Sequence, residues 1–106
     1  MDEVLERAVR IIVEVADPDR IILFGSRSRG NENRESDFDV CVIKRGVFHK
    51  RKLAQQIYRS LHGIGAPVDI IVETPEKLEE LKSNPYMIYK DIVEQGSVLY
   101  DKSASD

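Results

Sequence analysis

The apolar positions of this chain change their period several times, and each change marks an element. From Asp2 to Ala16, the residues Val4, Leu5, Ala8, Val9, Ile12, Val15 and Ala16 share one face of a helix. Asp2 and Glu3 open it, where the helix dipole favours negative charge. Asp17-Pro18 ends it, because proline disfavours helical geometry in the residue before it. Ile21 to Phe24 is a short unbroken apolar run and predicts a strand buried on both faces. Gly25-Ser26 breaks that run; Ser26 can cap a short helix through Ser28, which Gly30-Asn31 can close. Residues 31–36 are polar throughout and predict an exposed loop, with Ser36 capping the turn before the next strand.

Asp37 to Lys44 predicts the second strand, with Asp37, Asp39 and Cys41 on one side and Phe38, Val40 and Val42 on the other. Phe48 to His62 predicts a second amphipathic helix that buries Leu53, Ala54, Ile57, Tyr58 and Leu61 and stops at Gly63 and Gly65. Val68 to Glu73 predicts a third strand. Thr74-Pro75-Glu76 supplies an N-cap and a first-turn proline for a helix through Ser83. Pro85 opens a last helix, Tyr86 to Gln95, which Gly96 ends, and Ser97 to Tyr100 closes as a short strand. The order is that of an α/β fold with a small sheet and helices mainly on one face. Residues 1–100 form one domain and 101–106 a frayed polar tail. Both faces of 21–24 and 68–72 are apolar, so a single helical layer would leave a bare sheet face for self-association or a partner.

Composition narrows the class of protein. The chain has 106 residues, 42% hydrophobic and 33% charged, which excludes intrinsic disorder. Its formal charge of −3 makes it a poor general nucleic-acid binder. The single cysteine, Cys41, excludes a disulfide-stapled scaffold and reads as a small buried side chain. No apolar run approaches the ~20 residues of a membrane span, and the charged start MDEVLERAVR has no signal-peptide core. The expectation is therefore a cytoplasmic protein. Lys44, Arg45, His49, Lys50, Arg51 and Lys52 form the local basic stretch, either a solvated face or a docking surface for an acidic partner or an RNA-bearing complex. His49 and His62 lack metal-ligand spacing, and the four tyrosines read as packing residues.

The chemistry lies in three features taken together. A Gly25-Ser26 pair follows a buried strand; after ten intervening residues comes Asp37-Phe38-Asp39; and Asp69 interrupts the apolar strand 68–72. The Asp-x-Asp spacing puts both carboxylates on one strand face, about 7 Å apart. Such a pair repels unless a cation lies between, and Mg²⁺ suits one or two carboxylates plus phosphate and water. Asp69 on a neighbouring strand would complete a three-carboxylate cluster able to hold two metals for an in-line displacement at phosphorus. Gly25 lets a phosphate approach the backbone, Ser26 adds a hydroxyl donor, and Arg27 or Arg29 can add positive charge toward a polyphosphate. An acid inside an apolar strand is costly if buried, so Asp69 needs a cation or a strand-end location.

Gly25-Ser26, ten residues and Asp37-Phe38-Asp39 together resemble the signature of the polymerase-β-like nucleotidyltransferases. The string GSRSRGNENRESDFDVCVI, the later VDIIV and the compact size resemble the minimal nucleotidyltransferase (MNT) branch. The resemblance implies that Gly25 and Ser26 hold the β- and γ-phosphates of a nucleoside triphosphate. It implies that Asp37 and Asp39 coordinate both Mg²⁺ ions, and that Asp69 binds the catalytic metal and helps deprotonate the acceptor. It further implies transfer of AMP from ATP to a hydroxyl, with a tyrosine on a HEPN toxin as acceptor and this chain as its antitoxin. Two alternatives stay open: a non-catalytic binding antitoxin, or transfer to a small molecule or an RNA end.

Overall fold

The computed structural model describes residues 3–25 and 38–104. Helix α1 spans Glu3–Ala16, strand β1 Arg20–Phe24, β2 Phe38–Ile43, α2 Lys50–Ser60 and β3 Val68–Glu73. They are followed by α3 (Pro75–Leu81), α4 (Ile88–Gln95) and β4 (Ser97–Asp101), and a 3-10 turn, Lys102–Ala104, comes last. The strands form one sheet in the order β3-β2-β1-β4. β1 runs antiparallel to both β2 and β4, whereas β2 and β3 are parallel. The short helix expected at Ser26 to Ser28 and the loop at 31–36 lie outside the described residues.

Alternation along the strands builds two cores. Ile21 and Leu23 of β1, Phe38, Val40 and Val42 of β2, and Ile70 and Val72 of β3 turn to one face. There they meet Leu5, Ala8 and Ile12 of α1 and Ile57 of α2. The intervening residues Ile22, Phe24, Cys41 and Ile43 turn to the other face and meet Leu78 of α3 and Ile92 of α4. One helical layer was expected; the two longer helices do share a face, but α3 and α4 cover the second one. These helices have seven and eight residues and fully bury Leu78 and Ile92. The bare apolar face, and with it the ground for expecting self-association there, is absent.

Element ends follow local chemistry. The Thr74 side chain accepts a hydrogen bond from Lys77 N–H at 3.2 Å, and Pro75 occupies the first helical position. α2 and α4 are shorter than the apolar spacing predicts, starting at Lys50 and Ile88, so Phe48 and Tyr86 stand outside them, exposed. The tail expected to fray from residue 101 is ordered through Ala104. Asp101 ends β4 opposite Arg20, its carboxylate accepts from Ser103, and Lys102 N–H donates to the Asp19 carbonyl at 2.9 Å. At Gly96, any Cβ would lie 2.6 Å from Ile22 Cγ2, so only glycine lets α4 turn into β4 against the sheet.

Candidate active site

β1 ends where β2 begins, because the two strands are antiparallel, and β3 begins beside β2, because those two are parallel. The topology therefore brings Phe24, Asp39 and Asp69 to one end of the sheet. Phe24 is the register partner of Asp39, and Asp39 is the register partner of Asp69. Neighbours in register point the same way, so the two carboxylates share the face that carries Cys41 and Ile43. Their Cα atoms are separated by one strand spacing, about 4.8 Å. Asp39 is half-buried and Asp69 is exposed. Asp69 thus meets its solvation requirement at a strand end; the apolar run that follows it is the part of β3 that enters the core.

Gly25 completes this corner. It follows β1 with φ +80°, the left-handed region that glycine adopts without penalty. A Cβ on Gly25 would lie 2.5 Å from Asp39 Oδ2. The chain therefore turns away from the sheet directly against the Asp39 carboxylate, and only a residue without a side chain permits that approach.

Four expected site residues, Ser26, Arg27, Arg29 and Asp37, lie outside the described residues. Among the described residues no three acidic, histidine or cysteine side chains gather as a metal cluster; Asp39 and Asp69 supply two carboxylates at this end. Both offer oxygen ligands, the donor set that Mg²⁺ takes.

A tyrosine read from sequence as packing has a further part here. Tyr58 of α2 accepts a hydrogen bond from the Ile70 N–H at 2.8 Å. β3 is an edge strand, and Ile70 follows Asp69 directly. The phenol thus caps an outward-facing donor of the edge, where a strand is otherwise open to slippage or foreign pairing. No periodicity could have shown this, since it joins a helix to a backbone group twelve residues on.

Glu73 is the acid that sequence reasoning missed. It lies on the same face of β3 as Asp69, four residues and about 13 Å farther along. It is 3% exposed. Its carboxylate accepts from Lys50 Nζ at 2.6 Å, Tyr89 Oη at 2.8 Å and the Thr74 N–H at 3.0 Å. Burial pushes its pKa up, but Lys50, Tyr89 and Thr74 outweigh this and hold it below the ordinary glutamate value. The Tyr89 phenol is pushed up to about 12 by burial and by its bond to Glu73. The Cys41 thiol is also raised to about 12, by burial and then by the Glu73 charge, and stays neutral as a packing group. This network ties β3, α2 and α4 together at the end of the sheet remote from Gly25. The sequence signal was available: VDIIVE carries an acid at each end of one alternating face.

Known proteins share this architecture. The family model "Polymerase beta, Nucleotidyltransferase" matches residues 6–105. A proposed protein adenylyltransferase of Methanocaldococcus jannaschii is 33% identical over 81 residues, which cover 76% of this chain and 77% of that one. A toxin–antitoxin crystal structure with AMP-PNP superposes with a TM-score of 0.56 at 23% identity, covering 93% of this chain and 75% of that one. Another, the tri-AMPylated HEPN toxin of Shewanella oneidensis in complex with MNT antitoxin, gives 0.53 at 17% identity, covering 95% and 72%. These two similarities are of fold. Among the described residues no helix is long and apolar enough to cross a membrane. The matched family model spans nearly the whole chain, from the first turn of α1 to past the last strand, and the chain belongs to the polymerase beta nucleotidyltransferase family as a nucleotidyltransferase.

Proposed function

We propose that the protein transfers AMP from ATP, with Mg²⁺, to a tyrosine hydroxyl of a HEPN-type toxin and acts as its antitoxin in the cytoplasm. The observation that carries this reading is the pairing of Asp39 with Asp69 on one exposed face, against the backbone of Gly25. Asp37, Asp39 and Asp69 would hold two Mg²⁺ ions, which when bound offset charge on the triphosphate and on the leaving pyrophosphate. Gly25 and Ser26 would offer backbone N–H groups and a hydroxyl to the β- and γ-phosphates, and Arg27 and Arg29 would add positive charge. Asp69 accepts the proton of the attacking hydroxyl, whose oxygen bonds to the α-phosphorus as the bond to pyrophosphate breaks. The relative named for protein adenylylation supports a protein acceptor, and the AMPylated toxin complex supports a HEPN partner. The complex with AMP-PNP supports ATP.

The chain's size leaves little surface to enclose base, ribose and acceptor together, so a partner presenting its own hydroxyl would supply the in-line geometry. The test incubates the protein with labelled ATP and Mg²⁺, with and without a HEPN-type partner protein. Transfer of 329 Da (on the order of one AMP) to a partner tyrosine, lost in Asp39→Ala at unchanged circular dichroism, is the expected result. Tight binding and silencing that survive Asp39→Ala without any mass change would refute it.

A further inference from the structure

Six of the sixteen Lys and Arg residues lie between Val40 and Val68, and none of the nineteen Asp and Glu residues does. The net charge of −3 hides this segregation. The fold concentrates it on α2 and the turn before it. Ile57 is the one residue of α2 that is fully buried, whereas Arg51, Lys52, Gln55, Gln56 and Arg59 are exposed. Arg51, Gln55 and Arg59 are spaced by four and so line one stripe, about 12 Å long by helical rise.

This face differs from the short helices α3 and α4. On α3 and α4 the cations are matched by acids one turn away: Lys77 with Glu80, Lys82 with Glu79, and Lys90 with Glu94. On α2, Lys50 reaches Glu73, while among the described residues Arg51, Lys52 and Arg59 enter no salt bridge. His49, Lys50, Arg51, Lys52 and Gln55 line an open cleft of about 570 Å³. Directly before it stands Phe48, 93% exposed. A phenyl ring so placed adds nothing to either core and carries the full cost of hydration.

We propose that this face binds single-stranded nucleic acid, with phosphates along Arg51, Lys52 and Arg59 and a base stacked on Phe48. Unpaired cations in a row beside a bare aromatic ring are the two elements that hold a single strand without reading its sequence. An acidic protein surface would use the cations but not the ring, and a duplex presents no free base face to it. The face is separate from the candidate active site for most of its length. The N-terminus of α2 sits beside Glu73, and Gly25, Asp39 and Asp69 lie at the other end of the sheet.

The experiment follows the anisotropy of fluorescein-labelled U20 RNA and dT20 DNA as the full-length protein is titrated in. A 20-base-pair duplex and a poly-glutamate peptide serve as competitors. Three phosphate contacts give a slope of log K against log salt of about −2. Arg51→Glu with Lys52→Glu should abolish binding, and Phe48→Ala should weaken it about tenfold while leaving the salt slope unchanged. Both variants alter exposed side chains, and circular dichroism checks their folding. Equal binding of U20 and dT20 places the contacts on phosphates and base faces, and tighter binding of U20 adds a 2′-hydroxyl contact; both support the proposal. Absence of U20 and dT20 binding, indifference to Phe48→Ala, or competition by duplex or poly-glutamate as effective as by unlabelled U20 would overturn it.

Discussion

Gly25→Ala places a methyl carbon 2.5 Å from Asp39 Oδ2, where ordinary contact begins near 3.4 Å. One of the two must yield by about 0.9 Å. Asp39 is paired with Phe24 on one side and Asp69 on the other, so its backbone cannot retreat without breaking the sheet. The carboxylate has to rotate away instead. Displacing a group at a reacting centre by about 1 Å costs on the order of 100-fold in rate. The substitution also strains the backbone, because Gly25 has φ +80° and an alanine there costs about 1–2 kcal/mol. For a domain of this size that lowers Tm by roughly 5–10 °C. Gly63 separates the two effects. Its φ is +81°, and a Cβ there meets nothing within 4 Å. Gly63→Ala should therefore lower Tm by a similar amount and leave AMP transfer intact. The assay is transfer of label from ATP to the proposed acceptor protein, measured well below both melting temperatures. Equal rates in Gly25→Ala and Gly63→Ala would refute the claim that the close approach of Gly25 to Asp39 matters to the reaction.

Glu73→Gln keeps the shape but removes the charge that Lys50 and Tyr89 address, and should cost about 2 kcal/mol in denaturant unfolding at pH 7. Because the folded pKa of Glu73 lies below its unfolded value of about 4.3, this contribution is present above that pH. It is lost as pH falls through the folded value, so the gap between wild type and Glu73→Gln should narrow below about pH 4; a constant gap would count against the network. Tyr58→Phe leaves the Ile70 N–H to water and should cost about 1 kcal/mol, with faster hydrogen exchange at Ile70 as the specific sign. Gly96→Ala forces a carbon into Ile22 Cγ2 and should destabilise by about 1–3 kcal/mol in denaturant unfolding.

Much of this fold is written in local pattern. The strand of residues 21–24, the alternation of Phe38, Val40 and Val42, and the Thr74-Pro75 cap each depend on a few neighbouring residues, and each stands where the pattern puts it. The second helical layer was not legible. α3 and α4 contribute Leu78 and Ile92 to a core whose remaining buried members come from β1 and β2, so no window of sequence contains the reason they pack there. Helix starts were overrun at Phe48 and Tyr86 for a related reason. An apolar residue next to a helix prolongs the periodic pattern whether or not it is buried, and both of these rings face solvent.

The acids show the same division between local and non-local cause. Asp69 and Glu73 alternate identically along β3, and nothing in VDIIVE distinguishes them. Their fates differ because of what the topology sets at each end of the strand. At Glu73, the start of α2 and the middle of α4 bring a lysine and a tyrosine, and the carboxylate is buried among donors. At Asp69, parallel pairing with β2 brings Asp39 instead, and antiparallel pairing of β2 with β1 brings Gly25. A second carboxylate beside the first disfavours burial, and Asp69 is exposed where Glu73 is buried. Asp39 and Asp69 are like charges held in register, whereas Glu73 is a staple among Lys50, Tyr89 and Thr74. The Asp-x-Asp pattern acquires its chemical meaning from the parallel neighbour strand, a pairing between residues thirty apart.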